Sequence, residues 1–332
     1  MTKRKFLRRL IATVAVSVAF TLPHSAQAQS ADKLKLRMAS VPAGLHPGLF
    51  LAKARGWLPN VEIEDGTGSV AALNMLAAGQ TDIAEASVST MLTARARGLP
   101  FKAIACWFPA NDLGILVREE SPIKTPKDLE GKKIAYAAAS LEGPFVAPFI
   151  KASGADASRV ELVNMDFAAR FSAFMSGQVD GLVSVVPYAV SILKKANKPA
   201  RAILLSDYGF NLPSTGFIVS EQTLKTKKAA LQEVVSAVSR AWTEIWNDPA
   251  VLNEAIEAMF KLRPNAKIDS DNIKDQVQNF RSYYFTANTK GKPIGWIASD
   301  DIAAALKTMK EANVLTNPAA PGDYFTNEFF PN

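Results

Sequence analysis

Cysteine is almost missing from this chain. Cys106 is the single one in 332 residues, and His24 and His46 are the only histidines, so an intramolecular disulfide is excluded and the usual zinc ligand sets cannot be assembled. Acidic residues are missing from the first 28 positions, which hold Lys3, Arg4, Lys5, Arg8 and Arg9, then an apolar stretch over 10–22, then Ala26-Gln27-Ala28. That order of basic, apolar and small residues reads as a secretory signal cleaved before Gln29. Positions 2–8 also resemble a lysine variant of a twin-arginine signal; an ordinary basic leader is the favoured reading. Beyond this segment no run reaches the 18 apolar residues of a membrane span, and the cleavage site has no lipid-accepting cysteine. The expected location is the periplasm, as a free, monomeric protein.

The overall charge of +7 hints at a nucleic-acid partner, but five of the basic residues sit in the leader. The mature chain keeps 33 basic against 31 acidic residues, a net of +2, and no nucleic-acid partner is expected. With 48% hydrophobic, 21% charged and 9% aromatic residues, the composition is that of a globular protein of about two domains.

Short apolar segments alternate with amphipathic ones, which predicts an α/β fold. Strands are expected near 34–40, 61–64, 82–85 and 101–108, with helices near 47–55, 69–78 and 87–97. The pattern then restarts. Strands are expected near 133–138, 160–164, 181–185 and 202–205, helices near 144–152, 168–175 and 188–195, then a strand near 216–219 and a largely helical remainder. In that remainder Leu231, Val234, Val235, Val238, Trp242 and Ile245 form one helical stripe suited to a core.

The restart is an internal repeat. Ser40 corresponds to Ser140, Lys53-Ala54-Arg55-Gly56 to Lys151-Ala152-Ser153-Gly154, Val61-Glu62-Ile63 to Val160-Glu161-Leu162, and Gly79-Gln80-Thr81-Asp82 to Gly177-Gln178-Val179-Asp180, at offsets of 100, 98, 99 and 98. Two similar lobes follow: 29–117 with 215–332 as lobe one, 118–214 as lobe two, linked by two crossover strands. Ligands of open α/β sheets lie beyond the carboxyl ends of the strands, so two such lobes would share a cleft.

Several segments resemble the nitrate/taurine/thiamine-pyrimidine class of periplasmic solute-binding proteins: Ser121-Pro122-Ile123-Lys124-Thr125-Pro126-Lys127-Asp128-Leu129-Glu130-Gly131-Lys132-Lys133, Ala77-Ala78-Gly79-Gln80-Thr81-Asp82, Leu205-Ser206-Asp207-Tyr208-Gly209 and Gly291-Lys292-Pro293-Ile294-Gly295-Trp296. The resemblance implies a two-lobed clamshell that delivers a small organic ligand to an inner-membrane ABC permease, with no cofactor. The loop Val41-Pro42-Ala43-Gly44-Leu45-His46-Pro47-Gly48-Leu49 is similar to that of the pyrimidine-precursor binders at Pro42, His46 and Gly48. Ala43 and Leu45 stand where those binders have asparagines, and Val186 where they have an acidic residue. A site lacking those acceptors loses an aminopyrimidine steeply. The expected ligand is therefore aromatic or heteroaromatic, with or without an anionic group; an aliphatic sulfonate or a pyrimidine precursor are the alternatives.

Candidate ligand residues sit at predicted strand ends. Gly66-Thr67-Gly68-Ser69-Val70-Ala71 fits G-x-G-x-x-A with Glu85 further on, but it follows the second strand of its lobe, whereas a dinucleotide fingerprint follows the first. Either Thr67, Gly68 and Ser69 present amides to an anionic group, or a hydroxyl caps the helix. The same choice holds for Ser140, Glu142 and Gly143 in lobe two, and for Ser87. Glu85 is either a ligand acceptor or an ordinary paired carboxylate. Trp107 and Tyr188 are each either a stacking wall or core, and His46 is a hydrogen-bond partner for the ligand. Catalysis is not expected. Ser121 and Ser191 each begin an S-x-x-K pattern without companion motifs, and neither G-x-S-x-G nor a P-loop occurs. An exported enzyme on the same scaffold remains the alternative.

Overall fold

A computed structural model describes residues 33–331 except Leu141 and Ile268. The expected export signal lies outside the described residues.

Lobe one begins with β1 (Leu34–Arg37), α1 (Pro47–Ala54), β2 (Val61–Glu64), α2 (Ser69–Ala77), β3 (Ile83–Ser87), α3 (Val88–Ala96) and β4 (Phe101–Cys106). Lobe two contains β5 (Leu113–Arg118), β6 (Lys133–Tyr136), α4 (Val146–Ala152), β7 (Glu161–Asn164), α5 (Phe167–Met175), β8 (Gly181–Val185), α6 (Val186–Lys195) and β9 (Ala200–Leu204). The chain closes with β10 (Thr215–Ser220), α7 (Glu221–Thr226), α8 (Lys228–Asn247), α9 (Pro249–Leu262), α10 (Ser270–Phe280) and α11 (Ser299–Glu311).

The two five-stranded sheets run β2-β1-β3-β10-β4 and β7-β6-β8-β5-β9. They have one topology, in which a strand arriving from the other lobe is inserted antiparallel beside the third strand: β10 between β3 and β4, β5 between β8 and β9. The lobe boundary read from sequence at 117/118 moves back to about residue 112. Leu113–Val117 pairs along its length with β8 and β9, so it belongs to the second sheet.

The repeat has a physical basis in matched turns. Gly79 and Gly177 end α2 and α5 in the left-handed region, at φ 68° and 81°, where a side chain would be strained. Three residues on, Asp82 accepts from Lys35 N and Asp180 from Lys133 N, both at 2.9 Å. Each carboxylate ties the start of the third strand to the first.

β3 is buried along its whole length, as expected of a strand covered on both faces. In β5 the pleat divides the core: Ile115 and Val117 join a cluster continuous with lobe one, while Leu116 joins Phe171, Phe174 and Leu182 on the other face. The stripe of α8 is buried throughout. A Cβ on Gly48 of α1 would lie 2.6 Å from the Trp242 ring, so the close approach of these helices depends on that glycine. The carboxyl-terminal helices do not all belong to lobe one. α10 accepts Gly44 N at Gln276 Oε1 (2.7 Å), donates from Asn279 Nδ2 to Ser191 Oγ of α6 (3.0 Å), and pairs Asp275 with Lys194 and Asp269 with Lys195. It straddles both lobes.

Candidate functional site

The carboxyl ends of both sheets meet across a closed interface. Gly68, at φ 143°, lies against lobe two so tightly that a Cβ would come 2.4 Å from Ala139 O, and Val70 N donates to the same carbonyl at 3.3 Å. Val70 N, the second amide of α2, is thus held by the opposite lobe. Thr67 beside it is exposed. Ser69 is buried and accepts from Ser87 N at 3.0 Å, while Ser87 accepts from Thr90 N and caps α3.

His46 and Glu85 form a buried pair. Ala43 N donates to His46 Nδ1 at 2.9 Å, so that nitrogen carries no proton; Nε2–H then donates to Glu85 Oε2, also at 2.9 Å, and the same oxygen accepts from Ala39 N. Both side chains are sealed from solvent. The network pins the 39–46 loop to β3 and leaves neither ring nitrogen of His46 free. The hydroxyl of Tyr284, near Glu85, is buried without a hydrogen-bond partner, and burial and the Glu85 charge push its pKa up.

In lobe two Ser140 donates to Ala137 O at 2.6 Å, closing a local turn rather than capping a helix. Gly143 packs on the carbonyls of Ala137 and Ala138. Glu142 is buried in an ion pair with Arg170, which also donates to Val183 O at 2.9 Å. The Arg170 guanidinium lies 4.9 Å from the Phe167 ring centroid, and Tyr188 meets Phe167 edge-on at 5.3 Å. Phe167 is 44% exposed and Tyr188 half-buried; burial raises the Tyr188 hydroxyl to about 12, keeping it a neutral donor.

Trp107 is not at the surface. Its ring meets Phe217 edge-to-face at 4.9 Å and covers Gly295, leaving 1% exposed. The β4 end on which it sits is roofed by the 294–297 turn, which explains why the core reading prevails over the stacking wall. Cys106 beside it is buried, and desolvation raises its thiol pKa.

The two crossovers are knitted together, Trp107 N donating to Thr215 O and Ser214 N to Phe108 O, and Ser89 Oγ of α3 donates to Pro213 O of the second. Asp112, on the first crossover, is buried; burial lifts its carboxyl to about 7, with Glu142 adding like charge and Ser214 opposing.

A profile of the NMT1/THI5-like family matches residues 44–251. The chain belongs to the NMT1/THI5-like family. A riboflavin-binding protein of Chloroflexus aurantiacus is 22% identical over 255 residues, 75% of this chain and 70% of that one. A formylaminopyrimidine-binding protein of Halalkalibacterium halodurans is 21% identical over 186 residues, 54% and 56% of the two chains. Among solved structures, the alkanesulfonate-binding protein of Xanthomonas axonopodis pv. citri is 20% identical and superposes with a TM-score of 0.66 over 90% of this chain and 99% of that one. A desulfurization enzyme, 16% identical, reaches 0.56 over 89% and 97%. The fold is therefore that of a two-lobed periplasmic binding protein.

In this NMT1/THI5-like chain Gly68 meets Ala139 and Ser140 across the lobes, Glu142 and Tyr188 surround Arg170 within lobe two, and His46, Glu85, Ser69 and Ser87 form a scaffold of lobe one. Sequence reading missed Asp112, Arg170, Ser214 and Phe167. Arg170 had a readable signal, a lone charge in Phe167-Ala168-Ala169-Arg170-Phe171 on an otherwise apolar helix face. Asp112 had another, an acid opening the apolar run that becomes β5. Two surface pockets on lobe one, about 490 Å³ around Lys53 and Asn60 and about 630 Å³ around Val41, Pro42 and the 263–267 turn, contain none of the expected site residues.

Proposed function

We propose that this protein is the solute-binding component of an ABC importer, exported to the periplasm, where it captures a small aromatic or heteroaromatic molecule between its lobes and hands it to an inner-membrane permease. The observation that carries this is the contact of Gly68 and Val70 with Ala139 across two lobes of one topology joined by two strands. Such a pair can open about its crossovers, and a ligand touching both faces favours the closed state by its differential affinity. Family membership and the named binding proteins support a binding role, whereas the desulfurization enzyme shares the fold. Among the described residues no helix is long and apolar enough to cross a membrane.

Phe167 and Tyr188 supply the aromatic face in this reading, in place of Trp107. Flat rings gain from offset or edge contacts with such side chains. Because Ala139 O takes Val70 N, α2 offers one amide fewer to an anionic group. An enzymatic role finds little support in the residues present: His46 is held on both nitrogens, and Cys106 is sealed with a raised pKa.

The test is a thermal-shift screen of the mature protein against a library of small solutes. At about a hundredfold excess over its dissociation constant a ligand adds about 2.7 kcal/mol, so at least one ring-bearing compound should raise Tm by several degrees, with no turnover on prolonged incubation. Conversion of that compound into a product would refute the binding role.

A further inference from the structure

Three buried polar atoms on the crossovers have no hydrogen-bond partner: Trp107 Nε1 and Asp112 Oδ1 on the first and Ser214 Oγ on the second; the last two concern one carboxyl and the hydroxyl beside it. The Ser214 hydroxyl favours the charged carboxyl, while Asp112 Oδ1 itself has no partner, so the carboxylate keeps acceptor capacity. Buried polar groups are normally satisfied, and a pair left open at a hinge calls for an explanation. The backbone around them is fully engaged: Asp112 O accepts from Val186 N, Ser214 O from Val88 N, and Ser214 N donates to Phe108 O. The segment is rigidly placed while its side chains remain available.

The local charge indicates what would satisfy them. Glu142 of lobe two faces Asp112 and adds negative potential. Arg170 is paired with Glu142 through one terminal nitrogen, while its Nε keeps no partner. Tyr283 and Cys106 are the other titratable groups that feel Asp112, and both are neutral. An anion brought here would face an uncompensated carboxylate. An N–H donor fits instead, and an amidine, with an N–H on each of two nitrogens, meets a carboxylate in parallel, charge-assisted bonds.

We propose that Asp112 and Ser214 form the polar floor of the ligand site and receive an amino or amidine-type nitrogen of the ligand. This rests on the reading of the cleft as a binding site. It adds a specificity-determining acceptor on the hinge itself, where occupancy would bridge the two crossovers.

The experiment compares benzamidine, benzamide and benzoate, three probes with one ring, by thermal shift and calorimetry on the whole mature protein. Benzamidine should raise Tm at pH 8 and bind about tenfold more weakly at pH 6, as a carboxyl titrating near 7 takes up its proton; benzoate should have no effect. Asp112→Asn should abolish the benzamidine response. Should that variant not fold, the wild-type pH profile decides instead, since the tenfold change between pH 6 and 8 is set by the Asp112 carboxyl. Benzoate binding as well as benzamidine, a flat profile, or an unchanged Asp112→Asn response would each overturn the proposal while leaving the binding role intact. No response to any of the three, from a protein that also fails the solute screen, would overturn both.

Discussion

Asp112→Asn should stabilise the ligand-free protein at pH 8 and leave it almost unchanged at pH 4. A carboxyl whose folded-state pKa is raised binds more protons folded than unfolded, so stability falls as pH rises from the unfolded value near 4 to the folded value of about 7, and above that the full penalty is present. The rise from 3.8 to about 7 corresponds to about 4 kcal/mol at 1.36 kcal/mol per pH unit. Asparagine removes the charge but keeps a buried polar group without a partner, which costs about 1–3 kcal/mol and was also present in the protonated acid. At roughly 2–4 °C per kcal/mol for a chain of this size, Tm at pH 8 should rise by about 5 °C or more. Calorimetry of wild type and variant from pH 4 to pH 9 reads this directly, with the two curves diverging between pH 4 and pH 7. A parallel offset at every pH would show that Asp112 contributes through packing, and a destabilised variant at pH 8 would show that the carboxylate has a partner in solution.

Three other outcomes follow from the same geometry. Gly68→Ala places a Cβ 2.4 Å from Ala139 O, so it should hinder closure and weaken ligand affinity by about tenfold or more, equivalent to about 1.4 kcal/mol; calorimetric titration with any hit from the solute screen checks it, and unchanged affinity would show that closure does not need this contact. Trp242→Ala empties the contact between α1 and α8 and should cost about 3–5 kcal/mol in denaturant unfolding, as large aromatic deletions in cores do. Protein from periplasmic extracts should begin at Gln29 with no added lipid mass; retention of Met1 would remove the basis for export.

The sequence announced the lobes because its signals were local. A glycine ending a helix and an aspartate three residues later recur at Gly79-Asp82 and Gly177-Asp180, and each dictates one turn regardless of the rest of the chain. The α8 stripe was equally plain, since 3.6-residue periodicity needs no knowledge of a partner. The site was less legible, because burial and pairing are long-range properties. His46 reads as a ligand group, and Glu85 as either that or a paired carboxylate, until His46 is seen bonded to Ala43 on one side and Glu85 on the other. Trp107 stands at a strand end, where cores usually thin, and only the return of the chain at Gly295 covers it. Asp112 went unnoticed for the opposite reason: an acid before a strand looks solvated, and its cost appears only when two crossovers close around it. The shift of the lobe boundary from 117 to about 112 has the same origin, because β5 takes its identity from β8 and β9 and not from its own residues.

The most direct test of the account is to purify the mature protein from the periplasm without dialysis, confirm its mass natively, then unfold it and identify by mass spectrometry what is released. The account predicts one small ring-bearing organic molecule carrying an amino or amidine-type nitrogen, recovered at close to one per protein and rebinding to close the lobes. Recovery of an inorganic or purely anionic ligand would contradict the proposed chemistry of the hinge, and a protein that neither carries nor rebinds any small molecule would contradict the binding role itself.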